Sequence, residues 1–461
     1  MNLTKLYSAL PVFLQNRLIS IYGYYWRSRR LGGVFKNEVL LWKSRENFTK
    51  KEWEDYQTVE LRKLLIHAFK TVPFYNKLYK KHGFKEEDFL KFTINDLKKL
   101  PYLEKEDLRK FGTSTLLSTD KKKGRFYSSS GSTGKPTKVY FSKEFHRKWY
   151  AAYEARVRNW AGVNYNTPRG MIGGRRVLPK AKNNPPFYRY NSAEKQTYFS
   201  AYHISSINAK DYLNGIINNK VEYMVGYAMS NYFLADFIER EKLKAPNLKA
   251  VITSSEKLTP VMRETFERVF GCKTYDGYSG VEACGLISEN SDGDFLFSPD
   301  TGILELIDNK GNEVANGEEG EIVSTGLLNF DQPLIRYRIG DRAKKSLKQQ
   351  SISGIQMPMF EEISGRVEDI VTSSDGKKMV RFHGVFIDIK GLISSQLIQE
   401  TIELINLNLV INENEFDKSS EVIIMKRLKS QLGDNIIIKF NYVDDIPKNN
   451  NGKFRAVISK V

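Results

Sequence analysis

A chain of 461 residues, 41% apolar and 12% aromatic, carries material for several buried cores, and at about 150 residues per domain it divides into about three folded units. A formal charge of +18 favours an anionic partner, which nucleic acid, a lipid surface and anionic small molecules would all satisfy. The lysines are scattered, no zinc-finger spacing or RNP-like aromatic string occurs, and Cys272 and Cys284 make no metal-ligand spacing, so nucleic-acid binding and a structural zinc site are disfavoured.

Free buried thiols in a reducing cytoplasm are the expectation for both cysteines. The early segment has no basic stretch followed by an apolar run and a small-residue cleavage site, so no secretory signal is expected and the protein is read as cytoplasmic.

In chain order, Leu10 to Arg30, LPVFLQNRLISIYGYYWRSRR, joins aliphatic and aromatic residues to a terminal arginine cluster. Gln15, Asn16 and Arg17 interrupt it well short of the ~20 apolar residues of a bilayer crossing. The expectation is a helix packed on the body with its arginines in water, with peripheral contact to the inner face of a membrane as the alternative. Lys51 to about Lys110 is helical in spacing, broken at Pro73 and Pro101, with Thr93 the N-cap of a helix holding Leu97 and Leu100.

From KVYFS at Lys138 the pattern alternates. An aromatic-rich helix over Lys143 to Trp160 precedes the strand EYMVGY, the helix SNYFLADFIERE, the strand LKAVITSSE, the helix TPVMRETFERVF and the strand-turn CKTYDGYSG. Such alternation predicts parallel strands with crossover helices and ligands at the strand carboxyl ends. Near Gly293 the texture changes to short strands separated by Gly, Asn and Asp turns. After SGRVEDIV a smaller unit follows, in which EVIIMKRL and NIIIKFNYV both read as strands.

Ser128 to Lys138, SSSGSTGKPTK, resembles a phosphate loop but is not a Walker A motif. Gly131 and Gly134 stand too close together, and Pro136 after Lys135 offers no hydroxyl for a metal and cannot continue a helix. Glycines that admit backbone N–H groups, the hydroxyls of Ser129, Ser130, Ser132 and Thr133, and the charge of Lys135 still make an anion cradle of another kind. A plain Ser/Gly surface turn is the alternative.

Further motifs follow in order: YSGVE at Tyr278 to Glu282, PLIRYRIGD ending in Asp341, SGRVED at Ser364 to Asp369, and IPKNNNGKFR with Lys453. The carboxylate of Glu282 suits a metal carried by phosphates, and that of Asp341 can accept both hydroxyls of a ribose.

These motifs together resemble the adenylate-forming superfamily of acyl-CoA synthetases, adenylation domains and luciferases. Within it the chain is most similar to the branch of phenylacetate-CoA ligases and CapK-type capsular polysaccharide proteins, from about Ser128 to Lys453. The resemblance implies an α/β fold, with a large N-terminal part over 1–366 and a small mobile α+β lid over 367–461. The large part would be mainly helical over 1–120, α/β over 121–292 and β-rich over 293–366.

It also implies roles. Ser129, Ser130, Gly131, Ser132, Thr133, Gly134 and Lys135 would hold the phosphates of ATP. Tyr278 and Ser279, beside Ser254, Ser255 and Glu256, would hold adenine, and Asp341 the ribose. Glu282 would coordinate Mg2+, Arg366 and Glu368 would form the hinge, and Lys453 would reach the first-step site. His203, Gly226, Tyr227, Asp276 and Gly277 would line the acyl pocket.

Two departures stand out: Thr137 replaces a lysine common after the loop proline, and Val281 replaces a hydroxyl residue before Glu282. The implied reaction is activation of a carboxylic acid to an acyl-adenylate, then transfer to coenzyme A. Transfer to an amine or hydroxyl in surface-polysaccharide assembly and a non-catalytic nucleotide-binding role stay open.

Overall fold

The structure is a computed structural model that describes residues 7, 9–128, 137–174, 177–178, 184–348, 350–364, 371–376, 378–379, 382–386, 389–444, 446 and 456–461. A mixed twelve-stranded sheet dominates it. Its centre is five parallel strands, Gln196–Ser200, Arg169–Gly173, Tyr223–Tyr227, Ala250–Ser254 and Thr274–Tyr278, adjacent in that order. The helices Ala209–Asn218, Ala228–Arg240 and Pro260–Phe270 cross over between consecutive strands, as parallel pairing requires. They bury Tyr212, Leu213, Phe233, Leu234 and Phe266 against Met224 and Val251. The opposite face packs Tyr223, Ala250, Ile252 and Tyr275 on Ala151, Ala152 and Trp42.

The strand Ile287–Glu289 and the short strands expected after Gly293 add antiparallel to this sheet and continue its ladder in the order Ile287–Glu289, Phe295–Phe297, Met359–Ser364, Tyr337–Lys345, Glu319–Gly326 and Gly302–Ile307. A separate four-stranded sheet follows, in the order Ile437–Tyr442, Leu404–Ile411, Leu392–Thr401 and Val457–Ser459. Its own core joins Leu397, Leu407 and Leu409 to Ile424, Leu428 and Leu432. The fully buried Gln399 ties this unit together: its amide bonds both Thr372 N, at 3.0 Å, and Thr372 O, at 2.6 Å, and its Oε1 accepts from Ser459 Oγ at 3.0 Å.

Three sequence expectations need correction. EVIIMKRL is not a strand but part of the helix Lys418–Leu432, capped by Asp417, which accepts from Ser420 N at 2.9 Å. The β-branched run Val422 and Ile423 faces solvent, whereas Ile424, Leu428 and Leu432 are buried at a spacing of four, so the helical period decides. Leu97 lies in a 3-10 turn, Ile94–Lys99, which Leu100 already follows as extended chain; Asp96 accepts from Thr93 N and Oγ1. Finally, the terminal arginine cluster of the helix Val12–Leu31 is not in water. Arg27 donates to Ala193 O and Asn166 Oδ1, Arg29 to Phe141 O and His146 Nδ1, and Arg30 pairs with Glu194 and Tyr150.

Among the described residues no helix is long and apolar enough to cross a membrane. Cys272 and Cys284 are both free and buried, and burial pushes each thiol up to about 12.

Candidate active site

Because five strands run parallel, their carboxyl ends form one edge, and the register pairs Ile172 with Gly226, Tyr227 with Ser254, and Ser254 with Gly277. Gly226, Tyr227, Ser254, Ser255, Glu256, Asp276, Gly277 and Tyr278 therefore gather where an open α/β sheet binds ligands. Gly226 has φ of +134°, and an added Cβ would lie 1.8 Å from Ile172 O, so only glycine fits there. Ser255, at φ of +73°, turns the chain after its strand. Glu256 then reaches the first turn of the helix Ala228–Arg240, accepting from Met229 N at 2.8 Å. That helix has no side-chain cap of its own, so the carboxylate completes its N-terminus.

Tyr278 donates its hydroxyl to Asp341 Oδ2 at 2.9 Å across the cleft between two strands distant in sequence. Asp341 is aimed by a bulge. Val323 pairs with Arg338 and Glu321 with Arg342, so the segment Ile339 to Asp341 stands opposite Ile322 alone, with Gly340 at φ of +84°. Burial and the Asp341 charge raise the Tyr278 phenol well above its ordinary value, so it remains a donor.

Four residues beyond Tyr278, Glu282 is 7% exposed, and its Oε1 accepts from Thr137 Oγ1 at 3.2 Å and Tyr337 Oη at 3.4 Å. Gly280 makes room for it, since a Cβ there would fall 2.4 Å from Glu282 Oε2. Burial and Glu282 hold the Tyr337 hydroxyl protonated. Thr137 and Tyr337 are the site residues that sequence reasoning missed. In the sequence Thr137 reads only as a departure from the common lysine, and nothing local to PLIRYRIGD marks Tyr337.

Both arginines of that motif are committed to ion pairs, Arg336 with Glu305 at 2.8 Å and Arg338 with Glu321 at 2.6 Å. Ser279 is exposed and donates to Gly280 O. His203, 2% exposed, stacks on Phe187 with centroids 4.9 Å apart and shares a 2.7 Å hydrogen bond between its Nδ1 and Ser200 Oγ. It sits three residues after a parallel strand ends, on the same edge.

Asp276 accepts from Gly277 N and Thr253 Oγ1, and burial pushes its carboxyl up to about 7. Unfolded, it would release its proton near 3.8, so the native state binds more protons between these values, and stability falls as pH rises through that window. Asp276→Asn is expected to remove this slope, gaining up to about 4 kcal/mol over the wild type at pH 8 but little at pH 4. Thermal unfolding across pH checks it; parallel curves for the two proteins contradict it.

Ser129 to Lys135, Arg366, Glu368 and Lys453 lie outside the described residues. The flanks of the first are described. Strands Gly124–Ser128 and Lys138–Ser142 form a hairpin whose last pair is Ser128 and Lys138, so the intervening segment leaves and returns at adjacent points. Thr137, fully buried at its end, bonds that hairpin to Glu282.

Known proteins share parts of this sequence and fold. A family model of the CapK C-terminal domain matches residues 371–460. Protein CapK of Staphylococcus aureus is 26% identical over an alignment covering 100% of both chains. Phenylacetate-coenzyme A ligase of Escherichia coli (strain K12) is 24% identical over 69% of this chain and 72% of its own. The crystal structure of 2-hydroxyisobutyryl-CoA ligase, in complex with 2-HIB-AMP and CoA in the thioesterification state, has a TM-score of 0.59 at 17% identity, covering 90% of this chain and 91% of that one. At that identity the likeness establishes the fold. The fold is that of the adenylate-forming ligases. Among adenylate-forming proteins, the chain is similar to CapK over its full length and to the phenylacetate-coenzyme A ligases over about two thirds of it.

Proposed function

We propose that the protein is an AMP-forming acid ligase that activates a carboxylic acid with ATP and passes the acyl group to coenzyme A. The observation that supports this best is the Tyr278–Asp341 pair on the carboxyl edge of the sheet, with Glu282 four residues further on. In this reading the ring of Tyr278 and the turn from Ser254 to Glu256 flank adenine, and Asp341 accepts from the ribose hydroxyls. Ser129 to Thr133 and Lys135 cradle the phosphates, with Gly134 between them. His203, Gly226, Tyr227, Asp276 and Gly277 border the acid.

Among the described residues no cluster of three acidic, His or Cys side chains could hold a metal by itself. One buried carboxylate, Glu282, suits Mg2+ that keeps its waters and leans on substrate phosphates. When bound, that ion would neutralise phosphate charge. The protein's work is to bring two anions together. The acid's oxygen attacks the α-phosphorus, the bond to the β-phosphate oxygen breaks, and pyrophosphate leaves with the electron pair. The ammonium of Lys453 and the hydroxyl-rich loop stabilise the charge as it moves. A turn of the 367–461 unit about Arg366 and Glu368 would then withdraw Lys453 and admit the thiolate of coenzyme A, which attacks the acyl carbon and expels AMP.

A second reading keeps the first step and changes the acceptor to an amine or hydroxyl in surface-polysaccharide assembly. It is prompted by the alignment with CapK, which spans the full length where that with phenylacetate-coenzyme A ligase is partial. Acid-dependent exchange of labelled pyrophosphate into ATP, across aryl, fatty, amino and sugar acids, tests the shared step, and thioester formation separates the acceptors. Lys453→Ala is expected to slow the exchange about a hundredfold while leaving thioester formation from preformed acyl-adenylate nearly intact. Exchange at wild-type rate would remove Lys453 from the mechanism.

A further inference from the structure

The helix Val12–Leu31 is inside out. Its inward side is polar: Asn16 Oδ1 accepts from Tyr190 N at 3.0 Å, Ser20 Oγ from Ser192 N at 3.0 Å, and Gln15 Oε1 from Arg189 Nε. These side chains lie along the outermost strand, Tyr188–Asn191, and accept from the backbone of Tyr190 within it and of Ser192 just beyond it. Gly23 permits the approach, because a Cβ there would fall 2.3 Å from Asn191 Oδ1. Arg27, Arg29 and Arg30 pin the far end, as described above.

The outward side is apolar. Phe13, Leu14, Leu18, Ile21, Tyr22, Tyr24 and Tyr25 are all exposed, Phe13 and Ile21 at 66% and Tyr24 at 64%. At 3.6 residues per turn they span about half of the helix circumference over about 20 Å of its length. A helix that spends its polar groups on its own protein and shows its apolar groups to solvent has the pattern of a docking surface rather than of a core element.

Charge identifies the occupant. The chain contains no Asp or Glu before Glu38, whereas Arg17 lies exposed within the apolar face. Arg125, also exposed, sets its guanidinium 5.1 Å from the ring centroid of Trp26 on the same helix. The next helix, Phe35–Ser44, exposes Leu40 and Leu41 together with Lys36 and Lys43. A second copy meeting this face through a two-fold axis would set arginine against arginine, with no acid on the helix to answer it. An anionic bilayer answers both features: its headgroups take the cations, and its interface takes leucine, isoleucine, phenylalanine and the amphipathic tyrosine rings.

We propose that the outward face of Val12–Leu31 seats this protein flat on an anionic lipid surface. The helix cannot stand upright in the bilayer, because its polar side is bonded to the sheet edge along its length. Insertion is therefore limited to the depth of the side chains.

Co-sedimentation of the full-length protein with phosphatidylcholine vesicles, with and without phosphatidylglycerol, tests this. The expected result is binding to the anionic vesicles, weakening with added salt, and at least tenfold weaker binding for the Ile21→Glu/Tyr25→Glu variant and for Phe13→Ser/Tyr24→Ser. All four side chains are exposed, so pyrophosphate exchange by both variants is expected at the wild-type rate. Three outcomes overturn the proposal: no sedimentation with either vesicle, sedimentation unaffected by both double substitutions, or a concentration-dependent dimer that these substitutions abolish.

Discussion

Glu282→Gln is expected to lower acid-dependent pyrophosphate exchange by two to three orders of magnitude and to raise the Mg2+ concentration needed for half-maximal rate, with the fold intact. The amide keeps an oxygen that can accept from Thr137 and Tyr337, so the local network survives while the negative charge is lost. Loss of one preorganised electrostatic contact to a phosphoryl transition state costs about 3 to 4 kcal/mol. The exchange assay and a Mg2+ titration measure both effects. Exchange at the wild-type rate with unchanged Mg2+ dependence would show that Glu282 is only a structural acid.

The largest stability effect is expected at Asp300. Its Oδ2 accepts from Arg45 Nε at 3.0 Å and lies 3.5 Å from Arg156 Nη2, and the side chains of Asp300 and Arg156 are both 0% exposed. Arg156 enters this pocket from a π-helical turn, Glu154–Arg158, which follows the helix Lys143–Tyr153, and also reaches Glu46 and Trp42 O. Burial lowers the Arg156 guanidinium and raises the Asp300 carboxyl, each opposed by its partner. Asp300→Ala would leave a buried cation short of its counter-charge, and about 3 to 5 kcal/mol of stability is expected to go with it. Chemical denaturation of the two proteins measures the difference; a loss below about 1 kcal/mol would mean that Glu46 alone compensates Arg156.

Much of the architecture was legible because its signals are local. Parallel strands around a repeated strand-helix pattern, and site residues at their carboxyl ends, follow from the order of EYMVGY, LKAVITSSE and CKTYDGYSG. Long-range geometry was not legible. Nothing in YRIGD announces that a bulge turns Asp341 toward Tyr278, because the bulge is a property of two strands in register. Thr137 reads as a substitution until the fold brings it against Glu282, 145 positions away. The arginine cluster after Trp26 suggested solvent, yet its partners Asn166, Ala193, Glu194 and His146 come from segments more than a hundred residues downstream. EVIIMKRL misled because β-branched residues on the wet face of a helix mimic a strand.

The side chain of Gln399 touches the first strand of the C-terminal unit at Thr372 and the last at Ser459. Arg366 lies a few residues before the first contact, and Lys453 a few before the second. Thr372 and Ser459 are thus bolted to one crossbar. A pull on the strand that opens the unit is therefore carried straight to the strand that closes it, and the two travel as one stiff piece.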